Sequence, residues 1–255
     1  MKVFYRISDK GNPKEKLPNA DKMSCLKNAI REFGAANIQV IADNCEPATV
    51  AFIREAGLAC EETSLGNCGS FRYMAQRIFS TMGDYEAVYL LEDDYLHAEG
   101  ASRILEEGLA IADYITLYDH PDKYRPASDG GNPLNFKDVH PAKLRVTKSS
   151  HWVEVNSTTM TFACRVGTLR KDYPVWLKNT QGRTPRDFRA FVELTQNNPS
   201  DALAFLLRNR KRYATTIMLN WLSRRPMRRL MSAIPARATH AELAWLAPVM
   251  DWGRW

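Results

Sequence analysis

The stretch AVYLLEDDYLH, residues 87–97, runs five apolar residues straight into three adjacent carboxylates, Glu92, Asp93 and Asp94. An apolar run of this length that stops abruptly at polar groups reads as a buried strand with its carboxyl end at the acids. Like charges side by side repel one another, so a compensating charge is expected beside them.

Reading outward, the same pattern recurs. KVFYRIS (2–8) and NIQVIADN (37–44) are β-branched or aromatic runs ending in polar residues, and DYITLYDH (113–120) is another strand. CEETSLGN (60–67) is a short strand or extended link. Between them lie four segments with helical spacing: NADKMSCLKNAIREFG (19–34), EPATVAFIREAG (46–57), GSFRYMAQRIFSTM (69–82) and GASRILEEGLAIA (100–112). The first two end in glycine, as helix C-termini often do. Strand–helix units repeated about four times predict an α/β, Rossmann-like fold: a mostly parallel sheet with helices on both faces. Ligands bind such sheets at the carboxyl ends of the strands. The polar residues expected there are Arg6 and Ser8, Asp43 and Asn44, and the acids 92–94.

The second half changes character. HPDKYRPASDGGNPLNFKDVHP (120–141) reads as a long loop. KLRVTKSSHWVEVNSTTMTFACRV (143–166) reads as antiparallel strands. TPRDFRAFVELTQ (184–196) and DALAFLLRNRKRYATTIMLNWL (201–222) read as helices, and the tail 233–255 as irregular. No linker divides the chain, so a single domain of two halves, 1–120 and 121–255, is expected.

Composition narrows the class. Of 255 residues, 45% are hydrophobic and 25% charged, ordinary for a soluble globular protein. No apolar run reaches the ~18–20 residues of a membrane span, and the start MKVFYRISDKG lacks the pattern of a signal peptide, so a cytoplasmic protein is expected. Five scattered cysteines, 25, 45, 60, 68 and 164, with no C-x-x-C pair, exclude a disulfide framework or a structural zinc site and read as reduced and mostly buried. The net charge of +6 is uneven: nine Lys/Arg and no acid lie between Asp201 and Glu242. Such a block attracts phosphates or an anionic membrane surface.

The acids define the chemistry. Mg²⁺ and Mn²⁺ take oxygen ligands, usually one or two carboxylates plus substrate phosphates. If strand geometry persists, Glu92 and Asp94 share one face and Asp93 takes the other. Upstream, SLGNCGSFRYMAQ (64–76) is a Gly/Asn loop opening a helix, whose free N–H groups suit a diphosphate, with Asn67 and Ser70 at its start. Ser70 also reads as a plain N-cap. The loop is neither a P-loop nor a dinucleotide fingerprint.

A loop-helix LGNCGSFR (65–72) followed by a strand ending in EDD resembles the nucleotide-sugar-binding half of GT-A glycosyltransferases. EDDYLH (92–97), TLYDHPDKY (116–124), STTMTF (157–162) and ATHAELAWLAP..DW (238–252) together resemble a group of small bacterial glycosyltransferase-like proteins along nearly the whole chain. The resemblance implies a GT-A-like sheet with a smaller antiparallel and helical acceptor lobe. It implies a nucleotide-sugar donor, UDP- or GDP-linked, and an acidic D-x-D-type motif holding Mn²⁺ or Mg²⁺ on the donor diphosphate. This chain has Glu92 in the first position of that motif. Asp94, then Glu92, are the expected metal ligands, with Asp93 toward the donor ribose or sugar.

The resemblance also implies a histidine from the C-terminal region in the metal shell, and RATHAEL (237–243) offers His240. His97 is expected to point away, His120 to face donor or acceptor, and His140 and His151 to be loop residues. Arg6, Arg72 and Arg237 are candidate cations for the donor, and Asp43 a candidate for the base or ribose hydroxyls. An inverting transfer needs a carboxylate base, and GRTPRDFRAF (182–191) offers Asp187, with Thr184 as N-cap and Pro185 at N1; the same pattern reads as a capping box. Asp201 is the rival. NSTTMTF (156–162) presents hydroxyls to the acceptor, a glycan, lipid-linked or other hydroxyl compound, in surface polysaccharide or glycan synthesis. Two other readings remain at this stage. One is a nucleotidyltransferase with its phosphate loop at 6–16. The other is a non-enzymatic basic module on nucleic acid or anionic membrane, although no nucleic-acid motif appears. The segment 208–230, with its Trp and apolar content, fits peripheral contact at an inner membrane face.

Overall fold

The computed structural model describes residues 1–11, 14–134 and 143–254; His140 lies outside them. The first half alternates as expected: β1 (Lys2–Ile7), α1 (Lys22–Phe33), β2 (Ile38–Asp43), α2 (Pro47–Glu55), β3 (Ala59–Thr63), α3 (Gly66–Thr81), β4 (Ala87–Glu92). A short strand β5 (Tyr95–His97) follows the acids, then α4 (Ala101–Gly108) and β6 (Tyr114–Thr116). The second half supplies β7 (Leu144–Val146), β8 (His151–Glu154), β9 (Phe162–Arg165), α5 (Val166–Asn179), α6 (Asp187–Thr195), α7 (Pro199–Leu207), α8 (Lys211–Leu222), β10 (Leu230–Ile234) and β11 (Ala238–His240).

Among the described residues, one nine-stranded sheet runs β3-β2-β1-β4-β9-β6-β10-β8-β7. Strands β3, β2, β1 and β4 pair in parallel; β9 enters antiparallel between β4 and β6; β6 and β10 are parallel again. The sheet is therefore mostly parallel, and the antiparallel strands of the second half extend it. This is the α/β arrangement expected above, a mostly parallel sheet with helices on both faces. A two-stranded ribbon, β11 on β5, stands apart from it at the carboxyl end of β4.

Alternation within the strands decides the two faces. In β4, Tyr89 and Leu91 join one core with α1, α2 and α4, while Val88 and Leu90 join the other with α3, α5 and α6. A strand buried on both faces reads as a continuous apolar run, which is what AVYLL is. Helix ends follow local chemistry: Asp21 accepts from the Ser24 N–H, and Gly34 closes α1 at φ 78°, where a side chain would be strained.

Several expectations are corrected. α5 has no signal in the pattern because Pro174 stands inside it. Burial compensates: Trp176 stacks on Phe162 at 5.0 Å, and buried Asp172 accepts from Tyr114 and Arg228. The tail contains two strands, β10 inside the main sheet and β11 at the site. The helix expected over 201–222 is two, broken at Asn209 (φ 57°). The basic segment is not one continuous helix either: past Ser223 it leaves α8, and Arg228 pairs with Asp172 and Asp113. No helix among the described residues is long and apolar enough to cross a membrane.

Gly108 ends α4 against the core. A Cβ there would lie 2.7 Å from the Trp152 ring and 2.9 Å from Ile115, both wholly buried. Alanine would gain about 1 kcal/mol in helix propensity, while overpacking costs about 1–3 kcal/mol. Because Trp152 has nowhere to move, Gly108→Ala is expected to lower the urea midpoint; an unchanged midpoint would show that the ring yields.

Candidate active site

The acids sit where the apolar run predicts, but strand geometry stops at Glu92. Asp93 and Asp94 form the turn between β4 and β5, so the three carboxyls point to three partners instead of alternating across a strand.

Glu92 faces Arg6. The two are register neighbours on β4 and β1, and the Arg6 guanidinium donates to the Glu92 carboxylate and to Asn67. Arg6 is 8% exposed and lies 3.4 Å from the Ser70 hydroxyl, so it ties the ends of two strands to the start of α3. Burial pushes the Glu92 carboxyl up, to about 7, with Arg6 pulling against it and the Asp94 charge adding to the rise.

Asp93 turns to the loop after β1 and accepts from the Ser8 N–H at 2.9 Å. Burial and the adjacent Asp94 charge raise it to about 6. Asp94 behaves oppositely. Burial alone would raise it, but its contact with His240 together with the Lys16 and Lys14 charges outweighs burial, and its carboxyl is held at about 2.

His240 reaches Asp94 because β11 pairs with β5, setting His240 opposite Tyr95. Its Nε2 lies 3.0 Å from Asp94 Oδ2, and its ring meets the Tyr95 ring edge-on at 5.3 Å. The Glu242 N–H donates to Nδ1 at 3.2 Å, so a neutral His240 carries its proton on Nε2 and donates it to Asp94. To serve as a metal ligand, Nε2 must give that proton up; the Glu242 carboxylate, 4.0 Å from Nδ1, is the group placed to receive an Nδ1–H instead.

Two adjacent ligands of an octahedral ion at ~2.1 Å lie about 3.0 Å apart, which the Asp94–His240 separation matches. Among the described residues no cluster of three His, Cys, Asp or Glu side chains gathers at one point. The expected ligands Glu92, Asp94 and His240 are thus not gathered as one set: Glu92 is engaged by Arg6, and an ion held by Asp94 and His240 would take its remaining ligands from substrate phosphates and water, the usual habit of Mg²⁺.

The other predicted residues divide. Asp43 is 2% exposed and accepts from the Leu65 N–H (2.6 Å), Thr63 (2.9 Å) and Asn44 (2.9 Å), pinning the end of β2 to the loop before α3. Ser70 is not a cap: α3 begins at Gly66, and the Ser70 hydroxyl donates back to the Gly66 carbonyl at 2.9 Å. Arg72 turns to the Thr180 carbonyl at the end of α5. Arg237 donates its backbone N–H to Leu117, next to β6, and the Nε of its side chain is buried without a hydrogen-bond partner among the described residues.

Asp187 is the first residue of α6 and Arg186 its N-cap, so the Thr184 cap is corrected by two residues. Its carboxylate accepts from the Phe188 N–H, and burial raises its pKa, with the His120 charge pulling against the rise. Asp201 lies instead in the first turn of α7, buried in the hairpin. The 156–161 stretch is loop, not strand, and it crosses the acids: the Glu92 N–H donates to Thr161, and Tyr95 shares a hydrogen bond with Thr159.

Three contributors were missed by the sequence reading: Lys14 (4.0 Å from Asp94, 3.2 Å from Glu242), Glu242 and Tyr118, whose ring lies 5.0 Å from His120 and 6.5 Å from His240. The pair Lys14/Glu242 had a signal only in spacing, since Glu242 follows His240 by two residues. His151 is an exposed strand residue of β8 rather than a loop residue.

His97 does point away. It is wholly buried, within 2.9 Å of the Tyr89 hydroxyl and 3.3 Å of Asn28, and burial drops it to about 3. The unfolded chain's histidine titrates near 6.5, so below that pH the unfolded state takes up a proton that the folded state refuses. Stability is complete above ~6.5 and falls by about 1.4 kcal/mol per pH unit down to 3. Between pH 7 and 5 this site is expected to remove about 2 kcal/mol. His97→Gln should show a pH loss smaller by that amount in urea titrations; equal losses would end the assignment.

No protein-family model and no curated protein matches the chain. Among solved structures it resembles an active-site mutant of LgtC (10% identity, TM-score 0.45, 94% of this chain and 86% of that one). It also resembles CMP:2-keto-3-deoxy-manno-octonic acid synthetase complexed with CTP (12%, 0.40, 91% and 88%). A third is glucosyl-3-phosphoglycerate synthase from Mycobacterium tuberculosis with Mg²⁺ and uridine-diphosphate (8%, 0.35, 65% and 56%). At these levels the matches stand as observations, and the chemistry rests on this chain's own residues.

Proposed function

We propose that the chain is a metal-dependent glycosyltransferase. It moves a sugar from a nucleotide-sugar donor, UDP- or GDP-linked, to a hydroxyl of a glycan, lipid-linked or other acceptor, in surface polysaccharide or glycan synthesis. The observation that supports this most is the Asp94–His240 pair at the carboxyl end of β4, held at 3.0 Å by the β11–β5 ribbon beside two further carboxylates.

In this reading residues 1–120 bind the donor and 121–255 the acceptor. Asp94 and His240 hold Mn²⁺ or Mg²⁺, which when bound supplies Lewis-acid neutralisation of the departing diphosphate. Lys14 and Lys16 add positive charge at the same mouth. Glu92, engaged by Arg6, braces the site, and the Asp93–Ser8 contact sets the loop that meets the donor. In an inverting reaction the acceptor oxygen bonds to the sugar's anomeric carbon as the bond to the diphosphate oxygen breaks. The acceptor proton passes to Asp187, whose raised pKa suits a base.

Thermal unfolding with Mn²⁺, with each nucleoside diphosphate, and with both tests the reading. A ligand at about 100-fold over its Kd adds about 2.7 kcal/mol, roughly 5–10 °C for a chain of this size. The full shift is expected only from the combination. No response to any nucleoside diphosphate with metal would defeat the reading. Pyrophosphate release from a nucleoside triphosphate and a sugar would convert it to nucleotidyl transfer.

A further inference from the structure

Helices α7 and α8 pair as a hairpin that buries one side and leaves the other bare. The buried side, Ala202, Phe205, Ala214 and Ile217, packs with Val192 of α6. The outer side carries Leu203, Leu206 and Leu207 at helical spacing on α7, and Leu219 and Leu222 on α8, exposed by 58, 46, 78, 60 and 65%. Trp221 is 48% exposed at the same end of α8. Single exposed leucines are ordinary; five on one hairpin, three on α7 and two on α8, expose more apolar surface than water favours.

The surrounding charge says what covers it. Arg210, Lys211 and Arg212 lie at the turn between the helices, and Arg224 and Arg225 just past α8; none forms an ion pair among the described residues. The one acid between residues 194 and 241 is Asp201, and it is buried. A nucleic acid would engage the bases but gain little from the leucines, and a protein partner would cover leucines without needing a rim of one sign. Apolar side chains framed by bases match the interface of an anionic bilayer, acyl chains below and phosphates above.

We infer that the α7–α8 hairpin docks the protein onto an anionic lipid surface. The hairpin packs on α6, and Phe188, next to Asp187, meets Tyr213 of α8 at 5.5 Å. Docking therefore brings the acceptor side of the candidate site close to the bilayer. A lipid-borne acceptor follows only if the transferase reading holds; the docking does not depend on it.

Flotation of the full chain tests this with phosphatidylcholine vesicles, with and without phosphatidylglycerol. Binding is expected only to the anionic vesicles. Arg210→Gln with Arg212→Gln is expected to weaken it about 25-fold, at about fivefold per base. Leu207→Glu with Leu219→Glu should abolish it without changing the melting temperature, since both side chains are largely exposed. Absence of flotation, or undiminished flotation of the leucine variant, overturns the inference. So does binding of single-stranded RNA that survives the leucine changes while vesicles are ignored.

Discussion

Asp94→Asn is expected to cut sugar transfer by about a thousandfold while the protein stays folded. Asparagine keeps the shape and removes the charge that, with His240, would hold the ion. Electrostatic groups aimed at a developing charge are each worth about 10²–10³ in rate, and loss of the ion places this change at the upper end. Stability moves little because two effects oppose. The native carboxylate, held near 2, is favoured by folding, and the substitution loses that. The same charge raises both Glu92 and Asp93, and its removal relieves them. Turnover with Mn²⁺ and a melting curve, measured together, decide the matter: a folded variant with wild-type turnover would sink the metal assignment.

Asp187→Asn is expected to lower kcat by about 10²–10⁴, the range for loss of a positioned base, with donor KM unchanged. The pH profile carries the sharper signature. Burial raises the native carboxyl, so wild-type activity should fall as pH drops through that raised value. The base is needed ionised, and protonation silences it. The asparagine variant should lose this acid limb along with the rate. Full activity would mean that no base is required and that Asp187 serves the helix start alone.

Much of the first half was legible because its signals are local. AVYLL marked a strand, the acids marked its end, and Gly34 marked the end of α1 within one turn of its own backbone. α5 was illegible because Pro174 argues against a helix locally, and only burial of Trp176 among Phe162, Phe191 and Tyr114 overrides it. β10 escaped for a similar reason: Leu230–Ile234 is a short run between arginines and a proline, and its place in the sheet comes from pairing with β6 and β8.

The site divides along the same line. Residue type and order alone identified three carboxylates at a strand's end and a basic apolar segment, since each is a property of a few adjacent residues, while the distant histidine came only from the resemblance. Which carboxylate meets which partner was decided only in three dimensions. The chain turns after Glu92, so the alternation of a strand no longer applies to Asp93 and Asp94. The β1–β4 register gives Glu92 to Arg6, and the β5–β11 pairing carries His240 across some 145 residues of sequence to Asp94. Contacts that long are set by backbone hydrogen bonds between strands, and no local pattern contains them.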